Sequence, residues 1–175
     1  YMMYKGANTY NINSCDTIEV FYNLRTDLDK LNSAIEITKI VRDVTDENEN
    51  CYKILQMLLN TLYTLSETDK NIDLVISTFK IKLLCFLGFS PMITECVNCK
   101  KKSNLKYFSI KNDGFKCESC GKLDKGAISI SESTISAIRY IVMTPAKKLY
   151  SFSLKDESLN ELKLVSKLYF DDKLE

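Results

Sequence analysis

The chain has 175 residues, 45% of them hydrophobic and 27% charged, a globular balance that excludes wholesale disorder. Its formal net charge of +1 excludes a uniformly basic nucleic-acid coat, and the absence of histidine excludes any His-based triad, general base or metal ligand. No run of about 18 apolar residues occurs, so no membrane-spanning helix is expected.

The chain starts at "YMMYKGANTY", with no basic start followed by an apolar stretch, so no secretory signal is expected. Tyr1 stands where a methionine would begin a complete product, which predicts a fragment or a chain whose earlier residues were removed. Residues 1–22 alternate loosely around a turn at Lys5–Gly6–Ala7–Asn8. They read as the last hairpin of a β domain whose earlier strands are missing. A helix is predicted from about Thr26, capped by Thr26 or Asp27, with an apolar stripe of Leu28, Leu31, Ile35, Thr38, Val41 and Val44 or their neighbours. "TDENEN" (45–50) is a polar link. A second helix carries Tyr52, Leu55, Leu58, Leu59, Leu62 and Leu65, and "SETDKN" breaks it. The third, "IDLVISTFKIKLLCFLGF", is apolar over most of its surface and should be central; Gly88 and Pro91 end it.

Next comes an insert, about 93–127, holding "ECVNCKKKSN" and "FKCESCGK". "GAISISES" returns as a strand, and Ser131 or Ser133 caps a fourth helix through Ile135, Ile138, Ile141 and Val142 that Pro145 stops. Asp156 caps a last helix with Leu159, Leu162, Val165 and Leu168 on one face. The predicted fold class is mainly α within α+β. It is a bundle of about five helices with a ribbon inserted between the third and fourth. Residues 1–22 form a remnant hairpin and 23–175 the helical domain.

Cys96, Cys99, Cys117 and Cys120 have the spacing C-x2-C-x17-C-x2-C. Each Cys-x-x-Cys turn points two thiolates at one place, and two such turns complete a tetrahedron around zinc. Between them, "YFSI", a turn at Asn112–Asp113–Gly114 and "FKC" read as a hairpin, so the whole reads as a zinc ribbon. Four cysteines leave no open ligand position, so one structural Zn2+ is expected. A redox Cys-x-x-Cys would want one pair at a helix start in a βαβ unit, a context not visible here. Cys51 and Cys85 read as small buried hydrophobes, and nothing is read into Cys15.

The acidic pairs Asp27/Asp29, Asp46/Glu47/Glu49 and Asp171/Asp172 fall at helix ends or links and read as caps or solvated charges. No phosphate-binding Gly-x-x-x-x-Gly-Lys-Ser/Thr loop and no assembled catalytic site is visible. From Glu95 to Lys125 there are eight lysines against four acids, net +4, which a four-thiolate zinc centre would reduce to about +2. Lys100, Lys101, Lys102, Lys122 and Lys125 are therefore candidates for phosphate contact, and Tyr107, Phe108 and Phe115 for base stacking. The competing reading leaves these lysines as a solvated surface and puts the aromatics between ribbon and helices. Only three of the chain's basic residues are arginine, a coding bias that weakens any argument from lysine number.

In order along the chain, "KIKLLCFLGFSPMITECVNC", "FSIKNDGFKCESCG" and "KGAISISESTISAIRYI" closely resemble the C-terminal part of bacterial RecO proteins. "NELKLVSKLYFDDKLE" is similar to that family's closing helix, and "YKGANTYNINSCDTIEVFYNLRTDLDKL" to the exit from its N-terminal OB-fold. The resemblance covers nearly the whole chain, but most of the OB-fold is absent. It implies a non-enzymatic DNA repair and homologous recombination mediator. Such proteins bind single- and double-stranded DNA, anneal complementary strands and, with RecR, help RecA replace the single-strand DNA-binding protein. Some members contact that protein's acidic tail. It also implies a bacterial, cytoplasmic, nucleoid-associated protein with no membrane partner, of which this chain would be the scaffold and partner-binding half. The alternative is a zinc-ribbon protein-interaction domain with no DNA role of its own.

Overall fold

Alternating side chains at the start of the chain give β1 (Met2–Lys5) and β2 (Tyr10–Ser14), paired antiparallel with Met3 opposite Ile12 and Lys5 opposite Tyr10. The computed structural model describes residues 2–7, 9–46 and 50–174; Asn8 of the expected turn and Glu47–Glu49 of the polar link lie outside the described residues. Both strands are exposed along their length, so the hairpin has no core of its own.

The Asp27 carboxylate accepts the N–H groups of Asp29 and Lys30 at 2.9 and 3.1 Å and so caps α1 (Leu28–Val44). Helix α2 (Tyr52–Glu67) follows, then α3 (Ile72–Phe86), capped by Asn71. Helix α3 ends because Gly88 takes φ 94°, which lets the Phe89 N–H donate to Leu84 O at 2.8 Å. The insert holds β3 (Leu105–Ser109), β4 (Gly114–Cys117), α4 (Glu118–Lys122) and β5 (Ala127–Ser129). The chain closes with α5 (Glu132–Met143) and α6 (Asp156–Leu174). Among the described residues, five long α-helices and one short one, with two small antiparallel sheets, make this a mainly helical α+β fold.

Helix α3 is the central helix, as its composition predicts. Leu74, Val75, Phe79, Ile81, Leu83 and Leu84 are buried on different sides of it, against α1, α2, α5 and α6. Lys82 is also buried: its Nζ donates to Val142 O in the last turn of α5 at 2.9 Å. The amine there meets the negative end of a helix, and burial lowers its pKa.

Two predicted faces are partly rotated. On α2, Leu65 is buried and Leu58 and Leu62 pack against the core as expected, but Tyr52, Leu55 and Leu59 are exposed, and Ile54, Met57 and Thr61 are buried in their place. On α1, Leu28 and Ile35 are exposed, and Ser33, Ala34 and Ile37 are buried. The reason is the same in both. Ser33 Oγ donates to Asp29 O and Thr61 Oγ1 to Met57 O, each at 2.7 Å, so these hydroxyls satisfy themselves one turn back and enter the core cheaply. Thr61 Oγ1 also lies 2.6 Å from the buried Tyr150 hydroxyl.

At the other end of the domain, Ser131 caps α5. Glu161 of α6 reaches over that cap and accepts the Ser131 N–H and hydroxyl, each at 2.8 Å. Asp156 is the first residue of α6 rather than a cap before it. Leu168 is 41% exposed, and Tyr169, at 1%, takes the core position expected for it. Cys51, which precedes α2, and Cys85 in α3 are only half-buried, less than expected of core hydrophobes.

Candidate metal centre and ribbon surface

The insert is a three-stranded sheet in the order β4-β3-β5. Phe108 on β3 faces Phe115 on β4, and Ile128 of β5 pairs on the other side of Phe108. The turn between β3 and β4 needs a left-handed residue, and Asp113 supplies it with φ 55°. Gly114 then passes directly against the segment leaving α3. Phe115 N–H donates to Met92 O at 3.0 Å, and Met92 N–H to Asp113 O at 2.7 Å. A Cβ at Gly114 would lie 2.5 Å from Met92 O. Gly114→Ala should therefore force the two backbones apart and cost about 1–3 kcal/mol, read as a lower urea midpoint. An unchanged midpoint would mean that the Met92 contact yields freely.

The first Cys pair sits in a tight turn. Lys100 N–H donates to Cys96 O at 2.9 Å, Cys96 N–H to Lys101 O at 2.7 Å, and Lys100 is left-handed with φ 62°. The second pair is built differently: Cys117 ends β4 and Cys120 lies inside α4. Gly121 is fixed there because the ring of Tyr107 covers it and leaves no room for a Cβ. The sheet and the two knuckles bring the Sγ atoms of Cys96, Cys99, Cys117 and Cys120 within 4.8 Å of one another. Cys99 and Cys117 are 3.5 Å apart, far beyond the ~2.05 Å of a disulfide, and all four are free thiols. Sulfurs at the corners of a zinc tetrahedron stand about 3.8 Å apart. The donor set and its spacing fit one four-coordinate ion and leave no position for substrate. Among the described residues, no other group of three or more Cys, Asp or Glu side chains could hold a metal ion.

The surroundings favour thiolates unequally. Burial pushes the Cys96 thiol up, but the backbone N–H groups of Cys99, Cys117 and Asn98 outweigh it and bring it down to about 6. The Cys120 N–H lowers Cys117 in the same way. Cys120 itself is pushed up to about 12 by hydrogen bonds with Cys99 and Cys117. The surroundings thus favour the thiolate at Cys96 and Cys117 and disfavour it at Cys120, where a bound cation would offset the difference.

Two of the three ribbon aromatics are not free to stack on bases, while Tyr107 is half-buried with its ring over Gly121. Phe115 is 0% and Phe108 1% exposed, so the packing alternative holds for both. The candidate lysines divide. Lys100 pairs with Glu95 at 3.4 Å. Lys122 and Lys106 share Glu118 at 2.8 and 3.0 Å and, Lys122 foremost, hold that carboxyl at about 2. Lys101, Lys102 and Lys125 are exposed and make no ion pair among the described residues. The acidic pairs stay structural where they are described: Asp27 caps α1, and Asp172 pairs with Lys173 at 2.9 Å. No helix among the described residues is long and apolar enough to cross a membrane.

Sequence reasoning missed Lys116. It is 3% exposed inside β4, with Nζ 2.6 Å from Asp124 Oδ2 and 2.8 Å from Asn112 Oδ1, and Ser109 Oγ donates to the same Asp124 oxygen at 2.8 Å. This cluster clips β4 and β3 to the turn before β5, apart from the sulfurs. Lys116, then Ser109 and the Gly126 N–H, hold Asp124 at about 2. The unfolded value is about 3.9, so the contribution is full above about pH 5 and is lost as pH falls toward about 2. Asp124→Asn should therefore be less stable than the parent at pH 7, with the gap narrowing below pH ~4. Paired urea titrations of the two proteins at several pH values read this. A gap that stays constant to low pH would remove Asp124 from the clip.

Residues 25–175 match the family model for the recombination protein O C terminal. The DNA repair protein RecO of Acetivibrio thermocellus is 39% identical over 176 residues, spanning all of this chain and 70% of its own length. RecO of Alkaliphilus metalliredigens is 30% identical over 166 residues, covering 93% of the chain and 68% of its own. RecO of a Thermoanaerobacter species is 29% identical over 175 residues, covering the whole chain and 71% of its own.

Proposed function

The chain belongs to the RecO family of DNA repair proteins, and on that premise we propose that it is the scaffold and partner-binding half of a recombination mediator that catalyses no reaction of its own. The whole protein binds single- and double-stranded DNA and anneals complementary strands. With RecR, it helps load RecA onto DNA coated by the single-strand DNA-binding protein, in the bacterial cytoplasm at the nucleoid. The β1–β2 hairpin belongs to the N-terminal OB-fold. The observation that carries the reading is the family match across residues 25–175.

Cys96, Cys99, Cys117 and Cys120 hold one structural Zn2+. The four clustered sulfurs support this, since a saturated thiolate tetrahedron is the usual structural zinc site. The ion supplies a fixed crosslink between the two knuckles, and the surrounding N–H groups stabilise its thiolates. DNA is met at this end by Lys101, Lys102 and Lys125 through phosphate charge alone, which suits a mediator that acts on any sequence.

The deciding experiment is the annealing rate of two complementary single strands, with this chain and with a chain that also carries the N-terminal β domain. Only the longer chain should accelerate annealing. If neither does and neither binds DNA, the alternative of a zinc-ribbon interaction domain without a DNA role replaces this reading. In the longer chain, changing Lys101, Lys102 and Lys125 to alanine should flatten the plot of log affinity against log salt by about 2 for single strands. An unchanged slope would assign these lysines to solvated surface.

A further inference from the structure

The ribbon is stitched into the bundle at several points beyond its two chain connections. The Phe108 ring meets Tyr169 of α6 edge-on, centroids 5.3 Å apart at 76°. Tyr169 in turn donates its hydroxyl to Phe89 O at 3.0 Å. Arg139 of α5 donates Nε to Ile93 O at 3.0 Å and holds its guanidinium 5.7 Å from the Phe115 ring centre. Lys173, in the last turn of α6, places Nζ 2.6 Å from Asp113 Oδ1 in the β3–β4 turn. The segment between α3 and Cys96 is thus held by β4 at Met92, by α5 at Ile93 and by α6 at Phe89.

The same segment borders a groove of about 440 Å3 formed by Ile40 and Val44 of α1, Leu87 and Phe89 beyond α3, and Phe170 and Leu174 of α6. The route from the thiols to this groove is short. Cys117 and Phe115 lie two residues apart on β4, and both are buried. Val97 N–H, inside the first knuckle, donates to Phe115 O at 2.9 Å. Whatever fixes the two knuckles against each other therefore fixes Phe115. Through Phe108 and Tyr169 it also fixes the end of α6.

We propose that occupancy of the four-thiolate centre sets the order of two elements outside the ribbon, the α3 exit segment 87–95 and the end of α6 from 166 to 174, and with them the shape of the groove between α1, α3 and α6. The ion acts on bundle packing as well as on its own hairpin. Helices α1 and α2 pack mainly on α3 and on each other rather than on the ribbon sheet, so each keeps its own order although α1 supplies one wall of the groove. This rests on the metal reading above, and the experiment separates the two.

The chain is purified, its zinc measured by elemental analysis, and hydrogen exchange followed by mass spectrometry before and after removal of the ion with a chelator. Exchange should rise about tenfold in peptides covering 87–95 and 166–174 as well as in 96–122, while peptides of α1 and α2 keep their protection. A rise confined to 96–122 in a chain shown to be loaded overturns the proposal and leaves the metal reading standing. A rise spread equally over α1 and α2 also overturns it, since the ion would then hold the whole domain rather than one route. A chain that carries no metal overturns the metal reading and the proposal together.

Discussion

Replacing Phe115 with alanine is expected to lower the unfolding free energy by about 3–5 kcal/mol. The ring is fully buried, stands edge-on to Phe108 with centroids 6.0 Å apart, and carries the Arg139 guanidinium over its face. Alanine would leave a cavity walled by rigid backbone, because β4 is tied to β3 on one edge and to Met92 on the other. A domain of this size has about 5–15 kcal/mol in total, so the loss takes a large share of it. Phe115→Leu keeps most of the volume and should cost less than about 1.5 kcal/mol. Urea unfolding followed by circular dichroism measures both. If the alanine variant stayed within about 1 kcal/mol of the parent, the site would collapse around the gap, and the ribbon would be a looser attachment than its contacts indicate.

Cys117→Ser is expected to have a still larger effect, because it removes the ligand that is buried and joined to the sheet. Metal content should drop from about one ion per chain to nearly none. Loss of a structural metal is among the few single changes that exceed about 4 kcal/mol. Cleavage by a protease should concentrate between residues 96 and 122. Helices α1 to α3 should keep most of their helical signal, since Met57, Leu65, Val75, Phe79 and Leu83 form a core without the ribbon. A serine variant that still held one ion per chain would show that three thiolates suffice, and the four-coordinate centre would have to be abandoned.

How legible this was in the sequence differs from part to part, for physical reasons. The convergence of the four cysteines was readable because each Cys-x-x-Cys turn is local: two residues between the sulfurs, twice. The helix ends were readable at Asp27, Ser131 and Gly88 because capping is also local. The inward faces of α1 and α2 were readable only in part, at Val41, Val44, Leu58, Leu62 and Leu65. Both helices are apolar on more than one side, and Ser33 and Thr61 conceal their suitability for the core by bonding their own backbone. Tyr52, Leu55 and Leu59 looked like a stripe and turned outward. Lys116 was unreadable for a different reason. Its partner Asp124 comes near only when β3, β4 and the turn before β5 are already assembled. Helix α4 had a faint signal that was passed over: Glu118 and Lys122, four residues apart, pair across one turn.

Lys100 has a consequence for kinetics. A lysine with φ 62° is held in a conformation that an open chain visits rarely and that glycine would visit freely. The first knuckle can present Cys96 and Cys99 together only while Lys100 is in that state. For the zinc proposed above, any time the loop spends outside that state lowers its apparent affinity by the same fraction. For the proposed zinc centre, the left-handed state of Lys100 is thus a conformational cost of capture, added to the deprotonation that the four thiols require.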